Sequence, residues 1–417
     1  MVSSVVDDAR IDMILVDSMR DWIISHPAAA IGAIAAVAYL VRRYLTLATA
    51  IRVVERRIAD GTPIAPTSDG DRDLRIDLLQ PILSGDPDLE SALRDNVLET
   101  SPSARFLWLV DRDDAVGLEI ARRLATEFGE RVRLIETEPF DGHGNPKIAK
   151  LIVGSEAVEA PFVAVLDDDT RIDDRELDEA RRALSDGADL YTGLPTYVPA
   201  DTFWSRRLAE FVNNASIDTY LTPLAWSEPI TINGMFWAMR TDRLRSLNPL
   251  TEIRGELCDD YALASFLRQR GATIRQGSGS QRIRTTVVSG TGYLRLMHRW
   301  LLFASILLRD QPLVRRVRLL WHLGLPALLI WGTLVALIEP LYGVPLLLLV
   351  GAGRRFLVRR ARRRLGLIEV PFGLWLPTLI EAMVPLQSLH AELFRTIRWR
   401  TRTIRVDRSG GFRVLER

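Results

Sequence analysis

Phe162–Thr170 reads FVAVLDDDT. Five apolar residues are too few for an ordinary helix and about right for a buried strand. That strand runs straight into Asp167, Asp168 and Asp169. The pattern on either side alternates. Upstream, Arg105–Val110 (RFLWLV) is a short apolar run, Val116–Phe128 has helical spacing, Val132–Ile135 is strand-like and Ile148–Val158 helical. Downstream, Glu176–Leu184 is helical and Leu190–Val198 strand-like. Such βαβα alternation predicts an α/β domain with a mostly parallel sheet and helices on both faces.

Sheets of that kind bind ligands beyond the carboxyl ends of their strands. Two acidic clusters fall there: Asp111, Asp113 and Asp114 after RFLWLV, and Asp167–Asp169 after FVAVL. Neighbouring carboxylates repel one another, and hard divalent ions prefer oxygen ligands. Magnesium usually takes one or two carboxylates plus substrate phosphates, so the pattern suits a metal–diphosphate site better than a closed cage. The competing reading is a solvated loop, or an acidic first turn for the helix at Glu176. A second acidic cluster one βαβ unit earlier favours the ligand site.

Asp259 and Asp260 open the helical run DDYALASFLRQRG, whose Ala262, Leu263, Phe266 and Leu267 form one apolar stripe. Spacing alone favours a capping role. A carboxylate at a helix N-terminus facing a cleft is also a candidate general base. Tyr293–Arg309 is amphipathic around Arg299 and Trp300. It reads as a helix lying at a membrane surface, or more sharply as one whose Arg299 supports a leaving diphosphate.

Trp22–Val41 is twenty residues without a formal charge, ending at Arg42 and Arg43. About 30 Å of helix crosses the hydrocarbon core. Acidic residues precede it (Asp7, Asp8, Asp12, Asp17, Asp21), which argues against a signal peptide and places the α/β domain in the cytoplasm. Leu319–Ile338 is a second uncharged run. Leu341–Gly353 is short for a span unless Arg354 and Arg355 snorkel. Val370–Leu389 holds three prolines and Glu381, and reads as re-entrant or interfacial. The expected domains are an anchor over 1–58, a polar linker over 59–75, the α/β domain over 76–290, an interfacial helix over 291–318, a membrane region over 319–394 and a basic cytosolic tail over 395–417.

The formal net charge of +1 conceals an asymmetry. Residues 1–290 carry 33 basic and 46 acidic residues, while 291–417 carry 21 and 7. A globally basic nucleic-acid binder is disfavoured, since the first part forms no positive face. With 47% hydrophobic residues the chain is not disordered throughout. Cys258 is the only cysteine, so no intrachain disulfide exists. The only lysines are Lys147 and Lys150.

The order of these pieces resembles ceramide glucosyltransferases and their bacterial and archaeal relatives, a membrane-bound branch of the GT-A inverting glycosyltransferases. LLQPILSGDPDLESALRDNV (Leu78–Val97) is similar to the family's first strand and the run after it. VDRDDA (Val110–Ala115) matches the first Asp motif, NPKIAKL (Asn145–Leu151) the NPKI segment, and LDDDT (Leu166–Thr170) the second Asp motif. YTGLP (Tyr191–Pro195), CDDYALA (Cys258–Ala264), HRW (His298–Trp300) and IRWRTRTIRV (Ile397–Val406) match later elements in order. Two departures stand out. Leu296 replaces the Gln or Arg that opens the (Q/R)xxRW motif, and the second Asp motif is DDD where ceramide enzymes often carry DSG.

The resemblance implies a Rossmann-like GT-A domain in the cytoplasm, between N- and C-terminal transmembrane helices of a multi-pass cell-membrane protein. It implies that Asp111, Asp113, Asp114, Lys147 and Asp168 bind the nucleotide sugar, a UDP-sugar first among donors. Asp167 and Asp169 would hold Mg²⁺ or Mn²⁺. Asp260 would deprotonate the acceptor hydroxyl, and Arg299 and Trp300 would close the site. The expected activity is inverting transfer of one sugar to a membrane-lipid hydroxyl. A processive polysaccharide synthase of the same fold and an inactive membrane scaffold are the alternatives.

Overall fold

The computed structural model describes residues 18–59, 74–140, 144–371, 373–399, 402–407 and 411–416. The expected linker lies outside them apart from residues 59, 74 and 75, as do Asp7, Asp8, Asp12 and Asp17. FVAVL forms β4 (Phe162–Leu166), buried along its whole length. It pairs in parallel with β1 (Ile76–Ile82), which pairs with β2 (Ala104–Asp111), which pairs with β3 (Val132–Thr137). Period-two alternation sorts their side chains between two cores. Leu78, Phe106, Trp108 and Ala164 meet α2 (Leu89–Leu98), α3 (Ala115–Phe128) and α5 (Asp174–Ser185) on one face. Leu79, Leu107, Leu109 and Val165 meet α4 (Pro146–Glu156) and a later helix on the other.

The sheet continues in an order the sequence pattern did not predict: β3-β2-β1-β4-β7-β6-β8-β5, with β5 (Thr170–Arg171), β6 (Leu190–Tyr197), β7 (Phe236–Arg240) and β8 (Ile274–Ile283). β7 runs antiparallel between β4 and β6, while β6 and β8 are parallel. The domain is thus Rossmann-like in its first half and mixed in its second. Register between β6 and β8 slips between Thr192 and Leu194, where two carboxylates enter the sheet. A Cβ at Gly279 would lie 1.8 Å from Glu176 Oε2, so only glycine fits there. Between β6 and β8 run α6 (Phe203–Ser216), one π-helical turn over Ile217–Leu221, α7 (Thr241–Leu247), α8 (Pro249–Glu252) and α9 (Asp259–Gln269), the last supplying Leu263, Phe266 and Leu267 to the second core.

Among the described residues, three helices are long and apolar enough to cross a membrane: Pro27–Arg56, Leu313–Ile338 and Pro340–Arg364. The first lies within α1 (Pro27–Ala59). It begins five residues later than expected and continues through Arg42 and Arg43 instead of ending there. Arg43 does not flank a span in solvent; it is buried on Asp218 and also donates to Asn214. α10 (Gly290–Arg309) and α11 (Leu313–Val335) break at Asp310–Pro312, earlier than the boundary expected at 318.

α12 (Pro340–Arg364) is one continuous helix, so the run expected to be short is long enough. Arg354 is 2% exposed and donates to Glu381 and the Pro377 carbonyl, which replaces the expected snorkelling. α13 (Leu376–Leu393) is not among the candidate spans and packs against α10 and α11. Exposed Val314, Trp321, Leu328, Ile338 and Leu341 give α11 and α12 an apolar outer surface of the kind a bilayer covers. The expected basic tail is folded: β9 (Thr396–Trp399), β10 (Arg402–Val406) and β11 (Phe412–Glu416) form an antiparallel sheet. Its Ile397, Ile404 and Val406 bury with Leu257, Leu302 and Ala391.

Candidate active site

The carboxyl ends of β1, β2 and β4 bring both acidic clusters to one edge of the sheet. After β1, the Leu83 amide donates to Asp168 at 2.7 Å and the Ser84 amide to Asp114 at 2.8 Å. Asp114 also caps α3 by accepting from the Gly117 amide at 2.9 Å. Burial works against its charge, but the Ser84 hydroxyl and then these amide donors hold its carboxyl below the usual range. Asp111, the last residue of β2, accepts from Thr137 at 2.8 Å and pairs with Lys150 at 2.9 Å. Lys150 is 4% exposed and also donates to the Ile82 carbonyl. Asp113 is exposed, and among the described residues no hydrogen bond or ion pair holds it.

A second group lies at the end of β4. Asn145 caps α4 through the Lys147 amide, and Pro146 stands at the first helical position. That start aims Lys147 across the sheet edge. Its ammonium lies 2.6 Å from Asp167, 3.7 Å from Asp259, and donates to the Gly234 carbonyl at 2.8 Å. Burial opposes its charge, yet Asp167 and then Asp259 hold it more basic than an ordinary lysine. The two lysines therefore divide the site. Lys150, to which the sequence assigned no role, serves the Asp111 cluster, and Lys147 joins the second Asp motif to the third.

Asp169 accepts from Thr285 at 3.1 Å and from Thr170 at 3.2 Å. Burial, then the charges of Asp167 and Asp168, push its carboxyl up to about 7. Tyr197, buried between Thr285 and Trp300, links this aspartate to α10. The Trp300 ring meets Tyr197 edge-on at 6.1 Å and stacks near Phe211 at 6.5 Å. Arg299 is close enough for its charge to act on the Tyr197 hydroxyl. Tyr197 thus connects Arg299 and Trp300 to Asp169, although some 130 residues separate them in sequence.

At the start of α9, Asp260 accepts from the Cys258 thiol at 3.0 Å and the Tyr261 amide at 2.7 Å. Burial raises its carboxyl above the ordinary value, the Cys258 and Tyr261 hydrogen bonds opposing. Asp259 is pushed up to about 6, by burial first, with Lys147 opposing. A Cβ at Gly234 would sit 3.2 Å from Asp260 Cβ, so glycine there lets the turn before β7 approach the carboxylate closely. Tyr220, on the π-helical turn, lies near enough to Asp260 and Cys258 that, after burial, their charges raise its hydroxyl further. Sequence reasoning missed Tyr220, Gly234 and Thr285 because their roles come from folding across the sheet. Lys150 carried a signal in being one of only two lysines.

The geometry is a strand-end site with two acidic subsites bridged by a lysine, and the half-buried carboxylate of Asp260 beside them. The profile of Glycosyl transferase family 21 matches residues 30–412. Fold, site and match together define a nucleotide-sugar-dependent glycosyltransferase with membrane helices. The chain belongs to glycosyl transferase family 21. No curated protein matches it. Among solved structures, it is similar to the mannosyltransferase PcManGT from Pyrobaculum calidifontis in complex with GDP-Man and Mn²⁺. Identity is 16%, with 88% of this chain and 98% of that chain covered and a TM-score of 0.48.

Proposed function

We propose that the protein moves one hexose from a nucleotide sugar, a UDP-sugar first among donors, to a hydroxyl of a membrane lipid, inverting the anomeric carbon. The observation that carries this reading is the placement of Asp260: a carboxylate of raised pKa, next to the Lys147–Asp167 pair and the Gly234 backbone. A single base suffices for one in-line displacement. Asp259 is turned to Lys147, which leaves Asp260 to take the acceptor proton. Asp111, Asp113, Asp114, Lys147 and Asp168 would hold the nucleotide sugar, with Lys150 keeping Asp111 in place. Arg299 and Trp300 would close the site over the sugar diphosphate.

Asp167 and Asp169 suit a hard divalent cation. Burial first, and then the charges of Asp167 and Asp168, oppose ionisation of Asp169, and a bound cation would offset both. Among the described residues no group of three or more metal-binding side chains converges, so the donor's phosphates would complete the coordination. Mg²⁺ or Mn²⁺ bound there would neutralise charge on the leaving diphosphate.

Arginines support a cytoplasmic catalytic domain in the cell membrane. Arg354–Arg364 and the arginines beyond Val41 in α1 lie toward one end of the helix bundle, joined by the Arg364–Glu55 pair. At the other end, His26 meets Glu339 at 3.0 Å. Incubating the purified protein with labelled nucleotide sugar and lipid extract tests the proposal. A lipid carrying one labelled sugar is expected; a long polymer, or donor hydrolysis without transfer, overturns it.

A further inference from the structure

The C-terminal half of α12 has two unlike faces. Val358 and Ala361 are buried with Leu194, Ile217 and Leu221, so one face docks on the catalytic domain. The other face carries Arg355, Arg359, Arg360, Arg363 and Arg364, spaced as one helical stripe, and lines a cavity of about 700 Å³. Phe356, 63% exposed, and Leu374 form its apolar walls. The acidic partners are few. Glu369 pairs with Arg363 and Glu55 with Arg364. Among the described residues Arg355 and Arg360 make no ion pair.

The position of this cavity narrows its ligand. The stripe begins directly after the apolar first part of the candidate span Pro340–Arg364, where a bilayer gives way to water. A guanidinium presents a planar fork that matches phosphate oxygens in pairs, and clustered arginines at that depth meet anionic headgroups. Phe356 and Leu374 offer an apolar surface to an acyl chain entering beside its headgroup. The stripe faces away from the catalytic domain, so a ligand there is not the sugar acceptor.

We propose that the arginine face of α12 is a binding site for the phosphate headgroup of an anionic phospholipid, separate from the acceptor site. The site holds the membrane end of α12 while its opposite face carries the catalytic domain. This rests on α12 being membrane-embedded and not on which lipid receives the sugar.

The test is a thermal-shift titration of the full chain in neutral detergent with phosphatidylglycerol, phosphatidylcholine or inorganic phosphate. Phosphatidylglycerol is expected to raise the melting temperature saturably, and the other two are not. Arg355→Gln/Arg359→Gln/Arg360→Gln should weaken the apparent affinity on the order of a hundredfold, from three surface cations each worth about fivefold. Arg122→Gln/Arg123→Gln/Arg133→Gln, the same charge loss on the outer face of the catalytic domain, should leave it unchanged. If the first variant does not fold, the lysine series Arg355→Lys/Arg359→Lys/Arg360→Lys decides, since it keeps the charge and loses the fork; a clear weakening is expected. An equal response to inorganic phosphate identifies a free-anion site and overturns the lipid assignment. Undiminished phosphatidylglycerol binding by the arginine variants overturns the site.

Discussion

Lys147 Nζ lies 2.6 Å from Asp167 Oδ1, so a side chain of the protein supplies the positive charge at the end of β4. The same ammonium is 3.7 Å from Asp259. One lysine therefore ties the second acidic motif to the third.

Lys147→Met should expose this dependence. Breaking the pair leaves two carboxylates facing each other, at a cost of about 2 kcal/mol, below that of a fully buried pair because Asp167 keeps some solvent. Adding Mn²⁺ should raise the melting temperature of the variant more than that of the wild type. If the cation stabilises neither protein, Asp167 is not a metal ligand.

Asp260→Asn should lower kcat by about 10³-fold while donor affinity stays near the wild-type value. The deprotonated carboxylate is the active form. Burial raises its pKa above the ordinary carboxylate value, so activity is lost as pH falls through that raised value. The acid limb of the wild-type pH–rate profile is expected above the usual carboxylate range. Full turnover by the variant would remove Asp260 from the base role.

Glu176 gives a pH dependence of stability with the opposite sign. Burial, then Glu179, push its carboxyl up to about 8 in the folded chain, against 4.5 for an ordinary glutamate. Between those values the folded state binds more protons than the unfolded state, so stability from this group falls as pH rises. Glu176→Gln should flatten that decline, gaining on the order of 4 kcal/mol over wild type at pH 8 and under about 1 kcal/mol at pH 5. Denaturant melts at the two pH values measure it. An equal effect at both would show that the carboxyl is not the source.

Arg43 and Asp218 are 175 residues apart and both buried. Arg43→Met alone should cost about 3–5 kcal/mol by leaving Asp218 unpaired, whereas Arg43→Met with Asp218→Leu should recover most of the loss. Melting temperatures in detergent decide it: a double variant no more stable than the single one rejects pairing as the cause.

What the chain reveals by itself depends on whether its pattern is local. FVAVL is a strand with the boundaries its composition implies, and DDYALASFLRQ begins its helix at Asp259, because hydrophobic period is a local property; the capping role expected of its aspartates is not seen, the N-cap being Cys258 with no side-chain cap. β8 was illegible. IRQGSGSQRI lacks the alternation of a strand, and its glycines admit the Glu176 and Glu179 carboxylates from a helix a hundred residues upstream. Arg42–Arg43 looked like the end of a membrane segment because charge normally stops one; nothing nearby announces Asp218 as the partner that lets Arg43 stay inside. In the site, the aspartates were legible as strand ends, while the lysine assignments needed the start of α4 to be seen in space.

Helix α1 has a consequence that reaches beyond anchoring. It runs without interruption from Pro27 to Ala59, and its later residues Leu47, Ala50 and Val54 are part of the same apolar cluster as Leu194 of β6. From Arg43 to Val54 is about 16 Å of helix, with no joint. The anchor therefore passes into the core of the catalytic domain without a hinge. On the proposed reading the enzyme works as a depth gauge, choosing among hydroxyls by how far each projects from the bilayer.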